Sequence, residues 1–333
     1  MSPARSPRYA RGMRAGRTGP ENDAARNRVG GWTLTKSLAA LGPARRCEAQ
    51  DGRGRHGMLL VQRRRPGNAT AFAAWRALAQ RPPPPHPGLL PVLGFAEDAE
   101  HFALVIEGRE ARSLASWFVE DQPTMSQCLA VFCRLVDATQ ALHGAGLVHG
   151  AIRPDTVLID AGGDPLLLGP GGLTAGPLGR RAQAGLEAVY QAPELVVAPV
   201  AVEPHCDVYA LGCLLYFLGV GAHPWGAGQS GSALVRKKRD AAFDPPLATS
   251  RVPTRELVEV LHLCTKASPT DRPPDAGALA PELAARGLWS QAVDDTFDAF
   301  HDFFATGSAP ALPVLEPSGP PANEAPGFWD DDW

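Results

Sequence analysis

One stretch constrains this chain more than any other: Leu142 to Asp160, Leu-His-Gly-Ala-Gly-Leu-Val-His-Gly-Ala-Ile-Arg-Pro-Asp-Thr-Val-Leu-Ile-Asp. Upstream of it, Gln127 to His143 carries Leu129, Phe132, Leu135, Val136, Thr139 and Leu142 at i, i+3, i+4 spacing, the stripe of a long buried helix. That helix is expected to end at His143-Gly144. A short apolar pair, Leu147-Val148, then leads into a polar turn, and Val157-Leu158-Ile159 reads as a strand. Helix, polar loop and buried strand in direct succession call for a mixed α and β architecture.

With 333 residues and 44% apolar content, the chain can bury a sizeable core and suits one two-lobed domain or two small ones. The longest apolar stretch, Val208 to Val220, is too short to span a bilayer, and Met1 to Gly30 offers no apolar signal region. A cytoplasmic protein with no membrane partner is expected. Cys47, Cys128, Cys133, Cys206, Cys213 and Cys264 form no C-x-x-C pair, and buried reduced thiols follow. The net charge of −3 implies no general attraction to nucleic acid.

The Arg-rich segment over residues 1–31 has too few apolar side chains to offset its ordering entropy and reads as a disordered tail. From Trp32 a strand is expected. A polar turn over Asp51 to Gly57 leads to a second strand, Met58-Leu59-Leu60-Val61-Gln62-Arg63. Thr70 to Arg81 places Phe72, Trp75, Leu78 and Ala79 at helical spacing, and Leu104 to Gly108 reads as a further strand. After the loop come Tyr190-Gln191-Ala192-Pro193-Glu194, the run Cys206 to Tyr216, Gly221-Ala222-His223-Pro224-Trp225, and Cys264 to Pro273. Leu288 to Phe304 suggests one more helix, followed by a Pro/Ala linker and the acidic aromatic end Phe328 to Trp333.

This succession resembles the protein kinases. Their catalytic loop reads H-R-D-L-K-P-x-N, and here His149, Ile152, Arg153 and Pro154 occupy the His, Leu, Lys and Pro positions. The later motifs match Y-x-A-P-E, S-D-V-W-S-L-G, G-x-x-P-F and C-L-x-x-D-P-x-x-R-P. The resemblance implies an α+β, two-lobed kinase-like fold: a small antiparallel β-sheet lobe with one C-helix over residues 32–107, and a larger, mainly helical lobe over 108–288. Residues 289–333 would form a C-terminal helix, linker and tail. It also implies structural roles for His149 and Asp207, and a buried pair between Glu194 and Arg272.

At the reacting positions the residue types differ. Ala151 stands in place of the catalytic Asp, Thr156 in place of the metal-binding Asn, and Gly169 in place of the D-F-G Asp. Gln62 replaces the phosphate-gripping lysine, although a register one residue later would bring Arg63 there, and Trp75 replaces the C-helix glutamate. The Gly-rich loop would read Gly42-Pro43-Ala44-Arg45-Arg46-Cys47, a poor phosphate clamp with Ala44 for a glycine, and Leu60 would crowd adenine. Loss of the base alone is worth about 10²–10⁴ in rate. These residues lead to the expectation of a pseudokinase rather than an enzyme: a protein-binding signalling scaffold, with weak or absent ATP binding and no metal or cofactor. The alternative is an atypical serine/threonine kinase, or another nucleotide-using transferase, that recruits Asp155, Asp160, Asp164 or Arg63 as substitutes. A metal-free nucleotide sensor is a third reading.

Overall fold

The structure, a computed structural model, describes residues 27–41, 44–167, 186–197, 201–225, 231–240 and 255–289. The expected helix from Leu288 to Phe304, the acidic terminus, and both Gly42 and Gly169 lie outside these residues or largely so.

The N-terminal part is a six-stranded sheet of β1 (Arg28–Val29), β2 (Trp32–Leu41), β3 (Ala44–Asp51), β4 (His56–Arg63), β5 (Val92–Glu97) and β6 (His101–Ile106). Its order is β1-β2-β3-β4-β6-β5, with every neighbouring pair antiparallel. The uninterrupted apolar run of β4 is explained by burial on both faces. Met58 and Leu60 oppose Ile106 and Leu104, and these four join one apolar cluster with Trp75 and Phe102. Leu59 and Val61 oppose Val105 and Ala103 in a second cluster on the other side. Successive strand residues point to opposite faces, so a continuous apolar run is what a two-sided strand requires.

Helix α1 (Ala69–Gln80) lies on the first face. Trp75, 1% exposed, meets the Phe102 ring edge-on at 5.2 Å, and Phe72 packs against Phe102 and Phe95 at 5.4 Å. Strand β1 lies before the boundary expected at residue 32: its Val29 is fully buried and pairs with Trp32.

Strand β7 (Ala111–Ser113) and helix α2 (Leu114–Asp121) open the larger part of the chain. Helix α3 (Met125–Gly144) follows, and its start is fixed reciprocally: the Gln127 N–H donates to Thr124 Oγ1 at 3.2 Å and the Thr124 N–H donates to Gln127 Oε1 at 2.8 Å. Its buried stripe contains every residue that the spacing marked. Strands β8 (Val157–Asp160) and β9 (Pro165–Leu167) complete a small three-stranded sheet with β7.

Short helices α4 (Leu186–Tyr190) and α5 (Pro193–Val197) precede α6 (Pro204–Val220), which is apolar on all sides and sits at the centre of the large core. Helices α7 (Gly231–Arg239), α8 (Arg255–Cys264) and α9 (Ala276–Ala285) complete the described fold. Gly212 lets α8 approach α6: a Cβ there would lie 2.6 Å from that of Cys264. All six cysteines are buried thiols, and no disulfide forms. The two parts are stitched together by backbone, Leu90 donating its N–H to the Leu167 carbonyl at 3.1 Å and Leu167 its own to Gly88 at 2.8 Å.

Candidate active site between the two parts

The loop from His149 to Thr156 is built around one buried carboxylate. Asp207, on the first turn of α6, is fully buried and accepts the backbone N–H groups of His149 and Gly150, each at 2.7 Å. Its Oδ2 also meets His143 Nε2 at 3.0 Å. The Ala276 N–H donates to His143 Nδ1, so the proton of a neutral imidazole sits on Nε2, facing Asp207. Gly150, at φ +71°, takes the left-handed turn that brings both N–H groups onto the same carboxylate. His149 is 1% exposed, and its Nδ1 accepts the Ala151 N–H at 3.2 Å, a packing and loop-shaping role.

Thr156 closes the loop. Its Oγ1 accepts the Arg153 N–H at 3.1 Å and lies 2.5 Å from the Ala151 carbonyl oxygen. Ala151 contributes only a methyl group, 8% exposed, to a cavity of about 20 Å³. Arg153 also lines that cavity, at 3% exposed; its Nε donates to Asp155 Oδ1 at 2.7 Å, while its buried Nη1 has no hydrogen-bond partner. Asp155 is the acid of this loop, and its side chain is 37% exposed. Asp160 and Asp164 are placed elsewhere. Asp160 Oδ1 accepts N–H groups from Gly162 and Asp164 at 2.9 Å in the β8–β9 turn, and Asp164 pairs with Arg134.

From the sheet, Gln62 is 2% exposed whereas Arg63 is exposed, so the register puts the amide and not the cation inside. Asn68 Nδ2 donates to Gln62 Oε1 at 3.2 Å and to the Arg63 carbonyl at 2.6 Å, which leaves Gln62 Nε2 as the unpartnered end of the amide. Leu60 is fully buried in the cluster around Trp75. Of the degenerate Gly-rich loop expected over Gly42 to Cys47, Gly42 and Pro43 lie outside the described residues, Ala44 is a buried residue of β3, and Arg45 and Arg46 pair with Val61 and Leu60 in the ladder. Pairing with Leu60 puts Arg46 on the face shared with Gln62. Burial lowers the pKa of Arg46, and the nearby charge of Asp155 acts against that. No motif marked Arg46; only the β3–β4 register reveals it.

Behind the site, Arg272 grips Glu194 through two parallel bonds, Nη1 to Oε1 at 2.9 Å and Nη2 to Oε2 at 2.8 Å. Its remaining donors reach the carbonyls of Lys266, His205 and Ala267. Burial raises the Glu194 pKa, but the Arg272 hydrogen bonds and charge outweigh it and hold the carboxyl below its ordinary value. Glu194, His205 and Cys206 bring ligand atoms within 4.8 Å of one another. With Arg272 on the carboxylate and the Cys206 thiol pushed up to about 12 by burial, that cluster suits a guanidinium and not a metal ion.

The sequence profile of the protein kinase domain matches residues 75–283. The chain belongs to the protein kinase family. Serine/threonine-protein kinase PknL of Mycobacterium tuberculosis is 30% identical over 203 residues, which cover 59% of this chain and 50% of PknL. Serine/threonine-protein kinase PkaB of Streptomyces coelicolor is 30% identical over 218 residues, covering 60% and 48% respectively. The DNA damage-responsive serine/threonine-protein kinase RqkA of Deinococcus radiodurans is 28% identical, with 62% and 32% covered. The chain therefore spans about half the length of these relatives, or less.

These relatives overturn the expectation that the chain is not an enzyme, because each is named a serine/threonine-protein kinase. That expectation equated the chemistry of the cleft with residue types at a few motif positions. It left out Arg46, and it gave Asp155 only a substitute's part. The family also implies magnesium, which takes oxygen ligands. Among the described residues the fit is poor: Thr156 Oγ1 is engaged by its own loop, Ala151 has no ligand atom, and Asp155 Oδ1 holds Arg153. No helix among the described residues is long and apolar enough to cross a membrane.

Proposed function

We propose that this chain is a divergent, nucleotide-dependent protein kinase that transfers a phosphoryl group to a serine or threonine hydroxyl, with substitute residues in its cleft. The observation that carries this reading is the loop itself: Asp207 and Thr156 hold its backbone in a fixed form, and Asp155 supplies a partly exposed carboxylate within it. Phosphoryl transfer needs little covalent chemistry from the protein and depends mainly on positioning and charge. A fixed loop with one carboxylate and neighbouring guanidinium groups supplies both. In this reading Asp155 accepts the hydroxyl proton, while Arg153 and Arg46 offset the charge of the transferring group.

The macromolecular partner is then a protein with an acceptor hydroxyl, and neither nucleic acid nor membrane is required. The six buried thiols suit a reducing cytoplasmic setting. The test is transfer of labelled γ-phosphate from ATP to a generic protein substrate by the purified chain. Transfer by the parent protein, reduced at least a hundredfold in Asp155→Asn, is the expected result. Equal rates for parent and variant, or no transfer by either, would overturn the reading.

A further inference from the structure

We infer that the cavity between the loop and the segment Tyr190 to Ala192 holds a single water molecule, which bridges Arg153 Nη1 to Gln191 Oε1 and makes Gln191 a positioning residue for Asp155. The role toward Asp155 rests on the kinase reading above; the water itself does not.

The cavity, of about 20 Å³, is lined by four side chains that carry a polar atom: Arg153, Tyr190, Gln191 and Cys206. Two of them are engaged elsewhere. The Tyr190 hydroxyl meets His223 Nδ1 at 3.0 Å, and the Cys206 thiol donates to Glu194 Oε1 at 3.4 Å. The other two differ. Arg153 is 3% and Gln191 8% exposed, and Arg153 Nη1 and Gln191 Oε1 are both buried without a hydrogen-bond partner. Buried polar atoms without partners are rare in folded chains, so a donor and an acceptor on one cavity call for a ligand that serves both.

Size and charge decide which ligand. By this measure one water needs a cavity of about 10–15 Å³, and the volume here admits one. An anion would suit the guanidinium but face the lone pairs of Gln191 Oε1, whereas a cation would suit the oxygen but stand against Arg153. Water accepts from Nη1 and donates to Oε1, so it satisfies both at once.

Both ends of the bridge are anchored. Arg153 Nε donates to Asp155 Oδ1 at 2.7 Å. Gln191 is held from behind, because the buried Lys238 on α7 donates to its backbone carbonyl and to that of Ala188. The water thus completes a path from α7 through Gln191 and Arg153 to the loop carboxylate. Held at Nε alone, the guanidinium plane can swing and carry Asp155 with it; a second hold at Nη1 fixes the plane. Gln191 occupies the variable position of Y-x-A-P-E, so no motif marks it.

The experiment is a crystal structure of the full chain at a resolution that shows ordered waters, paired with phosphoryl-transfer kinetics of Gln191→Leu and Gln191→Glu. One water within about 2.7–3.2 Å of both Arg153 Nη1 and Gln191 Oε1 is expected. Gln191→Leu removes the acceptor and should lower kcat about tenfold to a hundredfold, with KM for ATP and for the protein substrate unchanged. Gln191→Glu keeps an acceptor toward the guanidinium and should retain most of the parent rate, a rescue that a mere packing role would not give. The parent crystal tests the bridge without any variant having to fold. A cavity without that water, a water bonded to only one of the two side chains, or a Gln191→Leu variant with the parent's kcat overturns this inference and leaves the kinase reading standing. A parent chain that transfers no phosphoryl group overturns the kinase reading together with the role of Gln191, and the crystal then decides the bridge by itself.

Discussion

Gly150 donates its backbone N–H to Asp207 Oδ1 at 2.7 Å, while His149 takes the other oxygen at the same distance. One carboxylate on a buried helix thus sets the shape of the loop that carries the candidate chemistry. Asp207→Asn would turn an NH₂ toward one of those N–H groups, donor against donor. It should cost about 2–4 kcal/mol in urea unfolding. A variant as stable as the parent would show that the loop is held by something else.

Glu194→Gln removes the charge from the pair with Arg272 and should cost about 2–4 kcal/mol at neutral pH, given that the carboxylate is partly accessible. The pKa of Glu194 is held low in the folded chain, so its contribution is complete above the unfolded value of about 4.3 and disappears as pH falls through the native value. The stability gap between parent and variant should stay constant from about pH 7 to 5 and narrow below about pH 4. Unfolding midpoints across that range check it, and a gap that widens in acid would contradict the assignment.

Lys238 is fully buried on α7 and donates to the carbonyls of Ala188, at 2.6 Å, and Gln191. Burial lowers its pKa to about 8 from 10.5. Between these values the unfolded chain binds more protons than the folded one, so this residue makes stability rise with pH over that window. Compared with Lys238→Met, the parent should gain up to about 3 kcal/mol between pH 8 and 10.5. Alkaline loss through the buried thiols, such as Cys213 with its pKa near 12, is shared by both proteins. A pH-independent difference would show that Lys238 is solvated.

Ala151→Asp would place a carboxylate at the edge of a cavity that Arg153 also lines. In the Asp155→Asn background it should recover much of the lost phosphoryl-transfer rate, a positioned base being worth about 10²–10⁴-fold. Ala151→Asn, with similar volume and no basicity, should leave the rate unchanged. Equal rates for the two variants would mean that a base at this position is irrelevant here.

The elements were legible where burial imposes a period. The stripe of α3, the two-sided run of β4 and the spacing of Phe72, Trp75 and Leu78 on α1 all appear in the sequence because each buries a definite face. The pair of Glu194 and Arg272 was legible from motifs alone. Arg46 was not: whether a residue after Gly42 arches over a ligand or joins a strand depends on a hairpin register that no local pattern fixes. Lys238 was equally hidden, because Arg236-Lys237-Lys238-Arg239 looks uniformly solvated and only the approach of α7 to α4 and α5 selects one member for burial. Inactivity was read from motif positions one at a time, an expectation overturned by the serine/threonine-protein kinases that the chain is similar to.

Thr156 spends its hydroxyl on the loop's own backbone, bridging the Arg153 N–H and the Ala151 carbonyl. A segment knotted internally in this way reaches its working shape before any donor arrives. Affinity is then not taxed by ordering the loop at the moment of capture, and chelators should leave its conformation untouched.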